Sequence, residues 1–309
     1  MNETIYEGSQ LIQGGEIFRR LDPPARLSVF GEPVAHSKSP RFQNAALQFC
    51  RIAAQYVRIH IRPDELASAL RSLPVAGFVG TNVTIPHKAG ALLSMDEVDD
   101  YARMSDAVNT VVVDGEKLVG FNTDGPGLQR ALREEFYADL RDLRVMLLGA
   151  GGGAGRAIAV QCARENCERL VLVNRTFEKA RALAQELATY FRSDRLVGPA
   201  ERLEAIPHQE SALKEQLAKT DLVINATSIG MRRADPPLIP AGLLTPNLLV
   251  YDTVYSSRKT RLIEDAEAAG ARVANGLSML LHQGALSFEI WFGRAAPLDI
   301  MREALKAAG

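Results

Sequence analysis

The stretch Arg144-Val145-Met146-Leu147-Leu148-Gly149-Ala150-Gly151-Gly152-Gly153-Ala154 decides how this chain is read. Its apolar run predicts a strand, its glycines a tight turn, and Ala157-Ile158-Ala159-Val160 beyond them a helix reaching about Arg164. A strand-to-helix turn without β-carbons lets a pyrophosphate approach backbone N–H groups at the positive end of the helix. The spacing Gly149-x-Gly151-x-x-Ala154 therefore predicts a dinucleotide-binding turn. Glycines serving only packing would fit the same turn, but they leave the end of the next strand unexplained.

That next strand, Leu170 to Val173, runs into Asn174-Arg175-Thr176, which begins 25 residues after Gly149. In a doubly wound nucleotide-binding fold a carboxylate at this point selects NAD by bonding the ribose 2′-hydroxyl. A guanidinium instead pairs with a 2′-phosphate and stacks on adenine, so Arg175 predicts NADP(H). Lys179, one turn into the following helix, could add positive charge, although alone it also fits a solvated surface lysine. A helix from Phe177 to Tyr190 and strands near Leu222 to Asn225 and Leu248 to Asp252 complete a Rossmann-type half.

Upstream, Leu27 to Phe30, Gln55 to Ile59, Gly77 to Gly80 and Val108 to Val113 read as strands, with helical patterns at Arg41 to Cys50 and Glu65 to Leu73 between them. This alternation predicts an α/β protein with mainly parallel sheets. Gly125-Pro126-Gly127 punctuates the chain, and a helix from Leu128 to Phe136 leads into the second half. Met279 to Phe292 and Pro297 to Ala307 have helical periodicity with no strand after them, so they are expected to return to the first domain. The expected domains are an N-terminal extension over 1–25, a substrate-binding catalytic domain over 26–127 plus 280–309, and an NADP-binding domain over 128–279. Met1 to Pro24 is expected to be loosely ordered.

With 309 residues, two domains are the natural prior. The 36 basic and 37 acidic side chains nearly cancel, which argues against nucleic acid or an anionic membrane as partner. The apolar stretches are strand-sized, and the acidic N-terminal residues Glu3, Glu7 and Glu16 do not suit a secretory signal, so a cytoplasmic location is expected. Cys50, Cys162 and Cys167 predict neither a disulfide framework nor a zinc site, and the last two are placed on one helix in packing roles. The five histidines lack metal-ligand spacing, so no metal is expected.

Two further runs carry proton chemistry: Thr81-Asn82-Val83-Thr84-Ile85-Pro86-His87-Lys88 and Phe121-Asn122-Thr123-Asp124-Gly125. A lysine and a carboxylate in one pocket can move a proton to or from a hydroxyl or carbonyl, which is half of an alcohol dehydrogenase. A hydride carrier at the glycine turn would be the other half. The same pair could instead be a purely structural ion pair.

From about Leu27 onward the chain resembles the shikimate dehydrogenase family. The resemblance rests on ordered motifs: Gly31-Glu32-Pro33-Val34-Ala35-His36-Ser37-Lys38-Ser39-Pro40, Asn82 to Lys88, Ala107-Val108-Asn109-Thr110, Asn122-Thr123-Asp124, Gly149-Ala150-Gly151-Gly152, Asn174-Arg175-Thr176, Asn225 to Met231, and Asn275 to Gln283. It implies reversible NADPH-dependent reduction of 3-dehydroshikimate to shikimate, a step towards aromatic amino acids. It implies Lys88 and Asp124 as the catalytic pair, with Ser37, Ser39, Thr84, Asn109, Tyr255 and Gln283 holding the substrate. It also implies Gly149, Ala150, Gly151, Gly152, Gly153, Ala154, Asn174, Arg175, Thr176, Lys179, Thr253, Gly276 and Met279 at the cofactor. Two serines at i and i+2 before Pro40 suit a carboxylate, because a helix beginning there adds N–H donors; an N-cap role would explain Ser39 but not Ser37.

The chain departs from the family pattern at four places. Asp106 replaces the usual Gly before Ala-Val-Asn-Thr, bringing a side chain near Asn109. Gln43-Asn44 stands for His-Asn, Tyr255-Ser256-Ser257-Arg258-Lys259-Thr260 lacks the usual proline, and Gly153 is an extra small residue. A quinate/shikimate dehydrogenase of broader range or an enzyme of an amino-substituted relative is the neighbouring alternative. A non-catalytic NADPH or metabolite sensor is the alternative of another class, against which the retention of both Lys88 and Asp124 speaks. Either a monomer or a homodimer fits the sequence.

Overall fold

The structure, a computed structural model, describes residues 4–191, 202–255 and 258–307. The chain divides into two compact units, Met1–Gly127 with Leu280–Gly309, and Leu128–Met279.

The first unit contains β1 (Ile5–Glu7), α1 (Gly8–Ile12), α2 (Glu16–Arg19), β2 (Ala25–Gly31), α3 (Ser39–Phe49), β3 (Gln55–His60) and α4 (Leu66–Ala76). These are followed by β4 (Gly80–Val83), α5 (Lys88–Leu92), β5 (Glu97–Val98), α6 (Asp100–Ser105), β6 (Thr110–Asp114), β7 (Lys117–Phe121) and the start of α7 (Asp124–Phe136). The sheet order is β1-β3-β2-β4-β6-β7-β5. Its pairs are parallel except those of β6, which runs antiparallel to both β4 and β7.

The expectation of a loosely ordered N-terminus is corrected here. β1 adds in parallel to β3, while Tyr6, Leu11 and Phe18 are buried, and the Phe18 ring meets Tyr6 and Phe78 edge-on at 5.0 and 5.3 Å. Tyr6, Leu11 and Phe18 join the apolar core of the first unit, with Leu21 packed against it, and this burial docks the segment. The predicted strand at Gly77 to Gly80 also shifts. Gly77 has φ +78 and ends α4, its N–H bonding the Pro74 carbonyl and that of Phe78 the Leu73 carbonyl. The strand therefore begins at Gly80 and carries Thr81-Asn82-Val83 itself.

The second unit contains β8 (Arg144–Leu148), α8 (Gly153–Arg164), β9 (Arg169–Asn174), α9 (Phe177–Leu187), β10 (Leu203–Pro207), α10 (Glu210–Leu217), β11 (Leu222–Asn225), β12 (Leu249–Asp252), α11 (Arg261–Ala268) and β13 (Arg272–Asn275). All pairs are parallel in the order β10-β9-β8-β11-β12-β13, the Rossmann order. Buried on both faces, Val145 to Leu148 and Leu222 to Ile224 read as continuous apolar runs. The order reverses between β8 and β11, whose carboxyl ends are Leu148 and Asn225. Cys162 and Cys167 do not share a helix, because α8 stops at Arg164 and Asn166 at φ +55 turns the chain. Both thiols are buried, and contact with Cys167 together with burial pushes the Cys162 thiol up.

The C-terminus forms α12 (Leu277–Phe292) and α13 (Leu298–Lys306). Within the first unit α13 packs on α3, and Trp291 of α12 donates to the Val111 carbonyl at 3.0 Å. None of the described helices is long and apolar enough to cross a membrane.

Candidate active site

Lys88 begins α5, a few residues beyond the end of β4, and Asp124 begins α7, a few residues beyond β7. Lys88 Nζ donates to Asp124 Oδ2 at 2.6 Å, with the lysine side chain 18% exposed and the aspartate 5%. The other carboxylate oxygen is held by Asn109 Nδ2 at 2.9 Å. Asn109 in turn is fixed by the Thr123 N–H and the Thr110 hydroxyl, each 2.9 Å from its Oδ1. The pair is thus locked from the aspartate side, and the ammonium keeps donors for another acceptor. Gln283 Oε1 lies 3.5 Å from Asn109 Nδ2, bringing a fourth predicted residue to the group. Thr84 is half-buried between β4 and α5, its N–H bonding Phe30 of β2 at 2.9 Å.

Ser37 and Ser39 lie on the same unit at the start of α3. Ser39 is the first helical residue rather than the cap, which is Lys38, and no side chain caps this helix. The Ser39 N–H reaches Ser37 Oγ at 3.3 Å, so the two serines share one turn. Sequence reasoning missed what lies behind them. Tyr56 is buried on β3, hydrogen-bonds the Ser39 side chain, and donates to Asn82 Oδ1 at 2.8 Å. Asn82 Nδ2 then donates to the Asn109 carbonyl at 3.1 Å and to Ser287 of α12 at 2.9 Å. A continuous hydrogen-bonded path therefore runs from Ser39 to Asp124 and Lys88. Burial pushes the Tyr56 phenol well up, which keeps it a neutral donor. Tyr56 and Ser287 stand in none of the recognised motifs.

The departures from the family pattern sort by position. Asp106 adopts φ +52 at the end of α6 and is exposed, so its charge stays in solvent instead of entering beside Asn109. A left-handed residue at that helix end explains why glycine suits the position. Gln43 points inward and donates to the Gly284 carbonyl at 2.8 Å.

In the second unit the glycine turn follows β8 at the point where the strand order reverses. Gly149 has φ +89, and Gly151, Gly152 and Gly153 are exposed. A β-carbon on Gly151 would meet Asn174 Nδ2 at 2.8 Å and Lys179 Cβ at 2.7 Å, so both residues border the turn. The predicted spacing needs one correction. The position of close helix-to-strand approach is Gly155, not Ala154, since a β-carbon there would lie 2.1 Å from the Gly149 carbonyl oxygen. The extra Gly153 moved the pattern by one, and a β-carbon on it meets nothing within 4 Å. α8 has no side-chain cap, leaving its first N–H groups for an anion. Arg175 and Thr176 are exposed at the end of β9.

Thr253 follows β12, and its carbonyl oxygen would lie 2.0 Å from a β-carbon on Gly276, so these two predicted residues adjoin. The Met279 N–H bonds the Tyr251 hydroxyl at 3.0 Å. Tyr255 is half-buried beyond β12, and burial raises its phenol. Asp252, not anticipated, is fully buried and accepts from Thr260 Oγ1 at 2.5 Å, Asn225 Nδ2 at 2.8 Å and the Val254 N–H at 3.0 Å. It ties together the two loops that leave β11 and β12. Ser256 and Ser257 lie outside the described residues.

Three family models match in order: the shikimate dehydrogenase substrate-binding domain over residues 29–111, shikimate / quinate 5-dehydrogenase over 131–233, and the shikimate 5′-dehydrogenase C-terminal domain over 276–306. A shikimate dehydrogenase (NADP(+)) of Methanopyrus kandleri is 42% identical over 281 residues, 90% of this chain and 94% of the relative. The chain belongs to the shikimate dehydrogenase family. Among solved structures, a shikimate dehydrogenase in complex with NADP+ aligns with TM-score 0.81 at 34% identity, covering 91% of this chain and 94% of the other. The shikimate 5-dehydrogenase of Thermus thermophilus in complex with NADP(H) and shikimate aligns with TM-score 0.80 at 34% identity, covering 92% and 100%.

Proposed function

We propose that this chain catalyses the reversible NADPH-dependent reduction of 3-dehydroshikimate to shikimate, a step in chorismate and aromatic amino-acid biosynthesis. The observation that carries the reading is the Lys88–Asp124 contact at 2.6 Å, held by Asn109 and bordered by Gln283, in a chain of this family. Residues 26–127 plus 280–309 form the substrate-binding catalytic domain in this reading, and 128–279 the NADP-binding domain.

The dinucleotide, when bound, supplies the hydride. The residues at hand for it are the exposed glycines of the turn, the uncapped start of α8, and Arg175, whose guanidinium suits a 2′-phosphate. Asn174, Thr176 and Lys179 border that end, and Thr253, Gly276 and Met279 the other loops. As the ketone is reduced, negative charge grows on its oxygen, and Lys88 as ammonium stabilises that charge and delivers the proton. Asp124 orients the ammonium and accepts from a neighbouring substrate hydroxyl. Ser37 and Ser39 hold the substrate carboxylate, Thr84, Asn109 and Gln283 its hydroxyls, and Tyr255 lies beside it. The reading extends to a cytoplasmic enzyme acting as a monomer or homodimer, to be checked by fractionation and sedimentation.

Absorbance at 340 nm with shikimate or quinate, each offered with NADP or NAD, tests the proposal. Turnover fastest with shikimate and NADP supports it. Faster quinate oxidation would move the enzyme to the broader group, and no turnover with any pair would favour a non-catalytic sensor.

A further inference from the structure

The carboxylate end of the site contains a charge that two serine hydroxyls do not supply. Arg58 follows Tyr56 by two residues on β3, so both side chains leave the same face of the strand. Tyr56 reaches the Ser39 side chain, and Arg58 reaches Ser37: its Nε and Nη2 both donate to the Ser37 carbonyl, at 3.1 and 2.7 Å. Arg58 is only 7% exposed, so its guanidinium is fixed against the serine turn and largely shielded from solvent.

Serine hydroxyls can hydrogen-bond a carboxylate but leave its charge uncompensated once water is removed. A shielded guanidinium anchored on the backbone of one of those serines acts across several ångströms at the low effective dielectric of a protein interior. We propose that Arg58 is a specificity-determining residue, which gives the Ser37–Ser39 subsite its preference for an anionic over a neutral group on the substrate ring. It does so from behind Ser37, by charge and by fixing that residue's carbonyl. The inference rests on the proposed assignment of these serines to the substrate carboxylate.

The test compares the full-length chain with Arg58→Gln and Arg58→Lys, using shikimate and its neutral methyl ester with NADP. For Arg58→Gln, KM for shikimate should rise about tenfold or more, as expected for losing a nearby charge in a partly shielded site, while kcat changes little. KM for the methyl ester should hardly move, and Arg58→Lys should fall between wild type and Arg58→Gln for the acid. Equal losses for acid and ester would show a merely structural role and overturn the proposal, as would an unchanged KM for the acid. If Arg58→Gln does not fold, Arg58→Lys decides alone: its KM for the acid must rise while that for the ester hardly moves, and equal changes of the two, or no change in either, would overturn the proposal. Should wild type fail to turn over shikimate, the proposed function falls. Calorimetric binding of acid and ester to the same proteins then decides the Arg58 inference separately, and absence of a charge-dependent preference there would overturn it.

Discussion

Lys88 and Gly151 occupy comparable places, each at a helix start just beyond the carboxyl end of a strand, but the two surroundings are built in opposite ways. Beside Lys88 the partner carboxylate is held by a chain of hydrogen bonds: Asp124 by Asn109, and Asn109 by the Thr123 N–H and the Thr110 hydroxyl, with Asn82, itself held by Tyr56 and Ser287, donating to the Asn109 carbonyl. Around Gly151 the site consists of side chains that are missing, with exposed backbone at the turn and no cap on α8. Proton transfer requires one group held in one orientation, which a closed hydrogen-bond network provides. Binding a pyrophosphate requires backbone N–H groups that nothing else covers. Damage to the first region should therefore appear in turnover, and damage to the second in stability or cofactor affinity.

The strongest challenge to this contrast is Lys88→Ala. Turnover should fall roughly 10²-fold or more while shikimate binding, measured by calorimetry, weakens much less. A variant that turned over normally would remove the lysine from the mechanism.

Gly155→Ala and Gly153→Ala sharpen the reading of the glycine turn. The first forces a β-carbon against the Gly149 carbonyl and should cost about 1–3 kcal/mol, seen as a lower Tm with weakened NADP binding. The second meets open space and should stay within about 0.5 kcal/mol of wild type. Equal effects of the two would return the close-packed position to the original spacing.

Arg175→Ala should raise KM for NADP about tenfold with less change for NAD, because an exposed charge-assisted contact to a 2′-phosphate is lost. Parallel changes for both cofactors would place the 2′-phosphate elsewhere.

A small effect lies at the far end of the strand that carries the turn. Arg144 grips Asp221 through Nε at 2.8 Å and Nη2 at 2.5 Å, and this contact holds the Asp221 carboxyl below its usual range. A lowered carboxyl stabilises the fold above its unfolded pKa and loses that contribution as pH falls through the folded value. Both side chains are partly exposed, so the contribution should be under about 1 kcal/mol. Asp221→Asn should lower Tm slightly at neutral pH, with the difference from wild type vanishing in strong acid, below the folded-state value. A difference that persisted in acid would assign it to packing.

Local chemistry made much of this legible beforehand. The glycine turn was readable because backbone without β-carbons between an apolar strand and a helix has few other uses, and Arg175 because its position relative to the turn is fixed by one βαβ unit. Strands β1, β5, β7, β10 and β13 were not anticipated, being short and mixed in polarity, and the largely polar N-terminal segment concealed that Tyr6, Leu11 and Phe18 dock it. Motif spacing assigned Ala154 a place that backbone proximity gives to Gly155.

The sequence by itself determined the two α/β halves, the phosphate-binding turn and the residue types available for proton transfer, since periodicity, glycine placement and charge act over a few neighbouring residues. Only the tertiary structure decided that Tyr56 and Arg58 stand behind the two serines, and that Ser287 meets Asn82 across 205 positions of chain. Those contacts depend on how strands pair and which way each side chain leaves its sheet, and no local pattern encodes either.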